Sequence, residues 1–220
     1  MIKAIIFDFD GTIIDTETAW YQAFREAYLS HGVELTLEQY SQCIGTSLHR
    51  FNPYEYLMTE LGLPIDKEAF RENIHDNHAK RMEEETVRPG VLSYLESAKA
   101  LGLKIGLASS SSEQWVRSHL DRLKLTDYFE CIRTADHVSR VKPDPELYLQ
   151  ALSGLGVRPE EAVAIEDSPN GARAAAAAGL ICVVVPNVLT ETLSFPRAHY
   201  RADSLTDIDF RRLVGRAAVS

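Results

Sequence analysis

Four stretches of this 220-residue chain carry side chains able to do chemistry, and three of them begin where an apolar run ends. Asp8 and Asp10 stand two apart in Asp8-Phe9-Asp10-Gly11-Thr12, directly after Ala4-Ile5-Ile6-Phe7. Ser109 opens the run Ser109-Ser110-Ser111-Ser112 after Lys104-Ile105-Gly106-Leu107-Ala108, and Glu166-Asp167 follows Ala162-Val163-Ala164-Ile165. Lys142 is the exception, set in Val141-Lys142-Pro143-Asp144-Pro145, where Pro143 disfavours helix at the lysine itself. Carboxylates gathered in one cleft repel each other and hold protons unless a cation binds. A hard dication with oxygen ligands removes that conflict, and magnesium is the usual one where phosphate is also present. A serine hydroxyl and backbone N–H at a helix start suit a phosphate oxygen.

Each stretch also has a plainer reading when taken alone. Asp8 could cap a turn with Asp10 solvated, and Glu166-Asp167 could be an acidic loop before a helix starting at Ser168. The serines could simply cap a helix at Glu113, and Lys142 could be a solvated lysine. Position in the fold separates these readings.

The continuous apolar runs read as parallel strands buried on both faces. Ile181-Cys182-Val183-Val184-Val185 is another, and Phe129-Glu130-Cys131-Ile132 is a weaker one. Helical patterns over 90–101, 113–124, 145–155 and 171–178 separate them, the last built on an alanine run suited to close packing on a sheet. This alternation predicts an α/β fold with a doubly wound, Rossmann-like parallel sheet and right-handed crossovers. In such sheets ligands bind beyond the carboxyl ends of the strands, where the strand order reverses. Asp8, Asp10, Ser109, Glu166 and Asp167 would meet there if their strands are neighbours.

Residues 16–86 interrupt the rhythm with charged and aromatic stretches at helical spacing. Asp15 is a candidate N-cap for a helix through Trp20, Phe24 and Tyr28, and further helices are expected over 37–43, 53–61 and 67–82. This reads as an α-helical cap domain inserted after the first strand, 16–86, leaving 1–15 and 87–220 as the α/β core. Cap residues facing the cleft would choose the substrate. Candidates by position are Trp20, Tyr21, Phe24, His49, Arg50, Phe51 and Tyr54, with the Gly45-Thr46-Ser47 turn able to bring backbone close to a ligand. Trp20 and Phe24, four apart, equally suit a cap core, and His75 and His78 are expected on an exposed helix face.

Composition narrows the function classes. Hydrophobic residues at 45% and charged residues at 25% describe an ordinary globular chain. A formal net charge of −9 argues against nucleic-acid or anionic-membrane partners, and no apolar run approaches the ~18 residues of a membrane span. Cys43, Cys131 and Cys182 are few, separated and outside any CxxC pattern, which suits free thiols in a reducing, cytoplasmic setting.

Asp8-Phe9-Asp10-Gly11-Thr12, Ser109, Lys142-Pro143 and Glu166-Asp167-Ser168, in this order and spacing, resemble the four motifs of the haloacid dehalogenase-like hydrolase superfamily. The insertion between the first two matches that family's helical cap, so the resemblance covers essentially the whole chain. The branch it is most similar to holds β-phosphoglucomutase and small sugar-phosphate or nucleotide phosphatases. The resemblance implies a magnesium-dependent phosphatase acting on a small phosphorylated metabolite, as a monomer or weak homodimer. In it Asp8 would be the nucleophile and form an aspartyl-phosphate, and Asp10 the acid and base. Ser109, Ser110 and Lys142 would bind the phosphoryl group. Asp8, the Asp10 backbone carbonyl and Asp167 would hold the metal, with Glu166 assisting. A β-phosphoglucomutase-like phosphomutase is the alternative. That branch uses a cap histidine where this chain has Trp20, and an arginine directly after a Gly-x-Ser turn where it has Leu48.

Overall fold

A computed structural model of the chain describes residues 1–43 and 51–216, and the contacts within it divide the chain into two units. The first comprises Met1–Ile14, Thr86–Asn187 and Leu193–Ser220. Its centre is β1 (Ala4–Phe7), whose four residues are all buried, as a continuous apolar run requires in a sheet covered on both faces. The other strands are β2 (Lys104–Ala108), β3 (Cys131–Arg133), β4 (Ala162–Glu166), β5 (Ile181–Val184) and β6 (Tyr200–Arg201). All pairings are parallel and the order is β3-β2-β1-β4-β5-β6. After β1 the chain builds outward through β2 and β3, then returns to lay β4 on the other side of β1. The strand order therefore reverses beside β1, where the doubly wound topology opens a crevice.

Helices α5 (Val91–Ala100), α6 (Glu113–Arg122), α7 (Glu146–Leu155), α8 (Pro169–Ala177) and α9 (Phe210–Arg216) belong to the same unit. One sheet face packs Ala4, Ile6, Ala162 and Ala164 against Leu147, Tyr148, Ala151 and Leu152 of α7 and Ala172, Ala174 and Ala175 of α8. The alanine run lets α8 approach closely, as its composition predicts. Ser112 caps α6 and Ser168 caps α8, each hydroxyl accepting a backbone N–H from the helix's first turn.

The second unit comprises Asp15–Glu85 and Val188–Thr192, the latter a segment outside the expected 16–86. It contains α1 (Thr16–Leu29), α2 (Leu37–Ser41), α3 (Tyr56–Thr59) and α4 (Lys67–Glu84). Asp15 accepts the Thr18 N–H at 3.0 Å and starts α1 as expected. Phe24, Tyr28, Tyr40, Phe51, Leu57, Phe70, Ile74 and Leu189 form its core. Helix α3 is far shorter than the expected 53–61. The Asn52 carboxamide accepts the Tyr54 N–H at 3.1 Å, a local turn that delays the helix to Tyr56. His78 departs from expectation too: it is buried, its ring stacked on Trp20 at 3.6 Å, while His75 is exposed. Among the described residues no helix is long and apolar enough to cross a membrane.

Candidate active site

The register of three strands sets the height at which the chemistry emerges. Phe7 is level with Leu107 on one side and Ile165 on the other, so Asp8 and Glu166 stand at the same height and Ser109, just past the end of β2, lies one residue further out. The Asp8 N–H still donates to the Ile165 carbonyl at 2.9 Å, which fixes the first acid against β4.

Lys142 arrives from the loop before α7. Its Nζ lies 2.5 Å from Asp8 Oδ1 and 2.7 Å from Glu166 Oε1, and its side chain is only 5% exposed. Glu166 is fully buried and also accepts the Tyr148 hydroxyl at 2.6 Å on the same oxygen. Its other oxygen faces the Asp167 N–H and the Ser168 hydroxyl, at 3.3 and 3.4 Å. The carboxylate packs so tightly on α8 that a Cβ on Gly171 would sit 1.9 Å from Oε2. Burial pushes the Asp8 carboxyl up to about 7; Lys142 pulls it down, and Glu166 and Asp10 add to the rise. Burial alone would lower the Lys142 ammonium, but Asp8 and Glu166 outweigh it and hold the lysine charged.

Asp167 sits beneath the turn that follows Asp8. Its oxygens accept the Thr12 hydroxyl at 3.4 Å and the Asn187 amide at 2.9 Å. Gly11 has φ +79, and a Cβ there would lie 2.2 Å from Asp167 Oδ2, so both conformation and space demand glycine. The turn is held from behind by Arg88, whose guanidinium donates to the carbonyls of Gly11, Val185 (3.1 Å) and Pro186 (2.9 Å).

Asp10 faces a different set of groups. Its Oδ2 accepts the Ser111 hydroxyl at 2.6 Å and the Ser109 hydroxyl at 3.3 Å, while its Oδ1 accepts the indole N–H of Trp115 at 2.8 Å. Ser109 is fully buried, and its oxygen also accepts the Ser111 N–H at 3.0 Å. Ser110, expected beside it, is exposed.

Among the described residues, Asp8, Glu166 and Asp167 each offer an oxygen within 4.8 Å of the others. An all-oxygen set of buried carboxylates suits a hard dication, which would also relieve the repulsion that raises Asp8. The Asp10 carboxylate is not part of that group. Asp8, Asp10, Ser109, Lys142, Glu166 and Asp167 are thus brought together at the carboxyl ends of the central strands. Sequence reasoning did not single out Arg88, Ser111, Trp115, Tyr148 or Asn187 as site residues. Tyr148 lies on the apolar face of α7 and Trp115 in the first turn of α6, positions that carry no chemical signature. Of the cap candidates, Phe24 and Phe51 are buried in the cap core and Tyr21 and Tyr54 pack against it; His49, Arg50, Leu48 and the Gly45-Thr46-Ser47 turn lie outside the described residues.

The chain is similar to several known proteins. Residues 5–185 match the family described as haloacid dehalogenase-like hydrolase. The Bacillus subtilis protein YhcW is 49% identical over 214 residues, 97% of each chain. A phosphorylated carbohydrates phosphatase of Thermotoga maritima is 35% identical over 181 residues, 81% of this chain and 82% of that one. Among solved structures, CbbY from Rhodobacter sphaeroides in complex with phosphate superposes with a TM-score of 0.71 at 31% identity, over 94% of this chain and 96% of that chain.

Proposed function

The chain belongs to the haloacid dehalogenase-like hydrolase family, and from that premise we propose that it is a magnesium-dependent phosphatase working through a phosphoryl group carried on Asp8. The substrate is a small phosphate monoester, a sugar phosphate or nucleotide, and the likeness to a phosphorylated carbohydrates phosphatase favours the carbohydrate class. One observation supports the reading above all: a buried, charged lysine links the first acid of the DxDGT turn to a fully buried glutamate beside a second buried acid.

Ser109 and Lys142 bind the phosphoryl oxygens, where positioning and charge stabilisation carry most of such a reaction. Asp8 attacks phosphorus. The bond to the leaving oxygen breaks as Asp10 gives that oxygen a proton, and an aspartyl-phosphate results. Water then attacks the phosphorus, passes its proton to Asp10 and frees Asp8. Asp8, the Asp10 backbone carbonyl and Asp167, with Glu166 assisting, would hold magnesium, which offsets the negative charge gathered on the transferring group. The chain's net charge of −9 tolerates an anionic substrate because Lys142 and the dication focus positive field in the cleft.

A monomer or weak homodimer completes the proposal, and the buried thiols of Cys131 and Cys182 suit a cytoplasmic setting. The test is inorganic phosphate release from a panel of phosphorylated sugars, sugar alcohols and nucleotides, with magnesium and with chelator. Release that requires magnesium and is fastest for a phosphorylated carbohydrate is expected. Release undiminished by the chelator, or from no member of the panel, would contradict the proposal.

A further inference from the structure

Trp115 has no part in the hydrolysis as described, yet it makes a 2.8 Å hydrogen bond to Asp10. Its placement is well determined. It stands in the first turn of α6, its own N–H accepted by the Ser112 cap at 3.3 Å. One turn on, His119 bonds the Trp115 carbonyl at 2.9 Å through Nδ1, and the two rings lie 4.1 Å apart. The His119 ring in turn lies 6.2 Å from Phe9, the residue between the two acids. The indole is thus supported on the same turn whose carboxylate it contacts.

The chemistry at the two Asp10 oxygens is asymmetric. An indole N–H donates and cannot accept, so a proton on Oδ1 would be aimed at another hydrogen. The hydroxyls of Ser109 and Ser111 on Oδ2 can rotate, and each can donate or accept. Oδ2 can therefore carry a proton in this arrangement while Oδ1 remains the acceptor. When Ser109 turns to a phosphoryl oxygen, Oδ2 still keeps its shorter bond to Ser111.

We infer that Trp115 is the positioning residue of Asp10: by occupying Oδ1 it fixes the carboxyl plane and assigns Oδ2 as the oxygen that exchanges the proton. In the forward step the Oδ2 proton passes to the leaving oxygen as its bond to phosphorus breaks and the Asp8–phosphorus bond forms. In the return step Oδ2 takes a proton from the attacking water. This inference rests on the acid–base role proposed above for Asp10.

Leaving groups separate this role from mere packing. A 4-nitrophenolate leaves without a proton, whereas phenolate or an alkoxide needs one. Values of kcat/KM for 4-nitrophenyl phosphate and phenyl phosphate are measured for the wild type, Trp115→Phe and Asp10→Asn. Acid–base help is worth about 10²- to 10⁴-fold. Misaligning its oxygen should cost Trp115→Phe about tenfold or more on phenyl phosphate and far less on the nitrophenyl ester. Because the phenylalanine variant could fail to fold, benzothienylalanine at position 115 keeps the indole's shape without its N–H and should discriminate likewise. Equal losses on both esters, or none, for the Trp115 replacements overturn the inference. If Asp10→Asn itself fails to discriminate, the acid role proposed for Asp10 falls first.

Discussion

The Lys142 ammonium lies 2.5 Å from Asp8 Oδ1, with the two side chains 5% and 9% exposed. A charge pair this enclosed depends on both partners, since desolvation penalises whichever is left alone. The same ammonium serves Glu166 at 2.7 Å, so one cation answers two buried carboxylates.

Lys142→Met keeps the stem's bulk and removes that charge. It should lower kcat/KM for phosphate esters by about 10²- to 10³-fold. It should also destabilise the metal-free protein by about 3 kcal/mol or more in denaturant titrations, with magnesium restoring part of the loss. Near-wild-type stability without metal would mean that the pair is not what holds Asp8 and Glu166 in place.

Gly171 inverts an ordinary expectation. Glycine to alanine in a helix usually stabilises by about 0.5–1 kcal/mol. Here the new Cβ would lie 1.9 Å from Glu166 Oε2, so Gly171→Ala must displace the carboxylate that anchors Lys142. A lower thermal midpoint together with lost activity is expected. A raised midpoint with activity retained would refute the packing argument.

Burial lifts the Asp8 carboxyl from its ordinary 3.8 to about 7. A raised carboxyl keeps its proton in the folded state, so the metal-free protein is favoured at low pH and loses that advantage as pH rises from about 4 through about 7. A dication needs Asp8 ionised. Magnesium affinity should therefore fall about tenfold per pH unit below 7, with a proton released on binding. Calorimetric titration at pH 6 and 8 measures both. Equal affinity and no proton release would contradict the assignment of Asp8 to the metal.

Arg88 spans three carbonyls behind the Asp8–Asp10 turn, a fork that a lysine cannot reproduce. Arg88→Met should cost about 2 kcal/mol or more, with Arg88→Lys intermediate. In both variants kcat should fall more than KM changes, because the turn that carries the two acids loosens. An Arg88→Lys enzyme equal to wild type in both respects would remove Arg88 from the account.

The central strands were legible because β1, β2, β4 and β5 read as continuous apolar runs, the first three followed directly by chemistry-bearing residues, a pattern that survives without any knowledge of partners. Strand β6 was not, since Tyr200–Arg201 is only two residues long, both exposed, with no apolar run to mark it. Helix α9 is only seven residues long, and its apolar spacing is a single turn, Phe210, Leu213 and Val214, among charged neighbours. In the site, residues at strand ends were found from sequence, whereas those acting from elsewhere were not. Tyr148 reads as one more apolar position on α7, and Asn187 as the end of a strand. His78 stands among polar neighbours on α4 and reads as exposed, yet it is covered by Trp20, which lies 58 positions away in sequence.

In the proposed reaction phosphorus is carried by Asp8. Acid quenching during turnover of a good phosphate ester, followed by proteolysis and mass spectrometry, reads this out. One phosphoryl group is expected on the peptide containing Asp8, formed by the wild type, accumulating in Asp10→Asn and absent from Asp8→Asn. Phosphate release by a folded Asp8→Asn protein at near-wild-type rate, or a label on another residue, would contradict it.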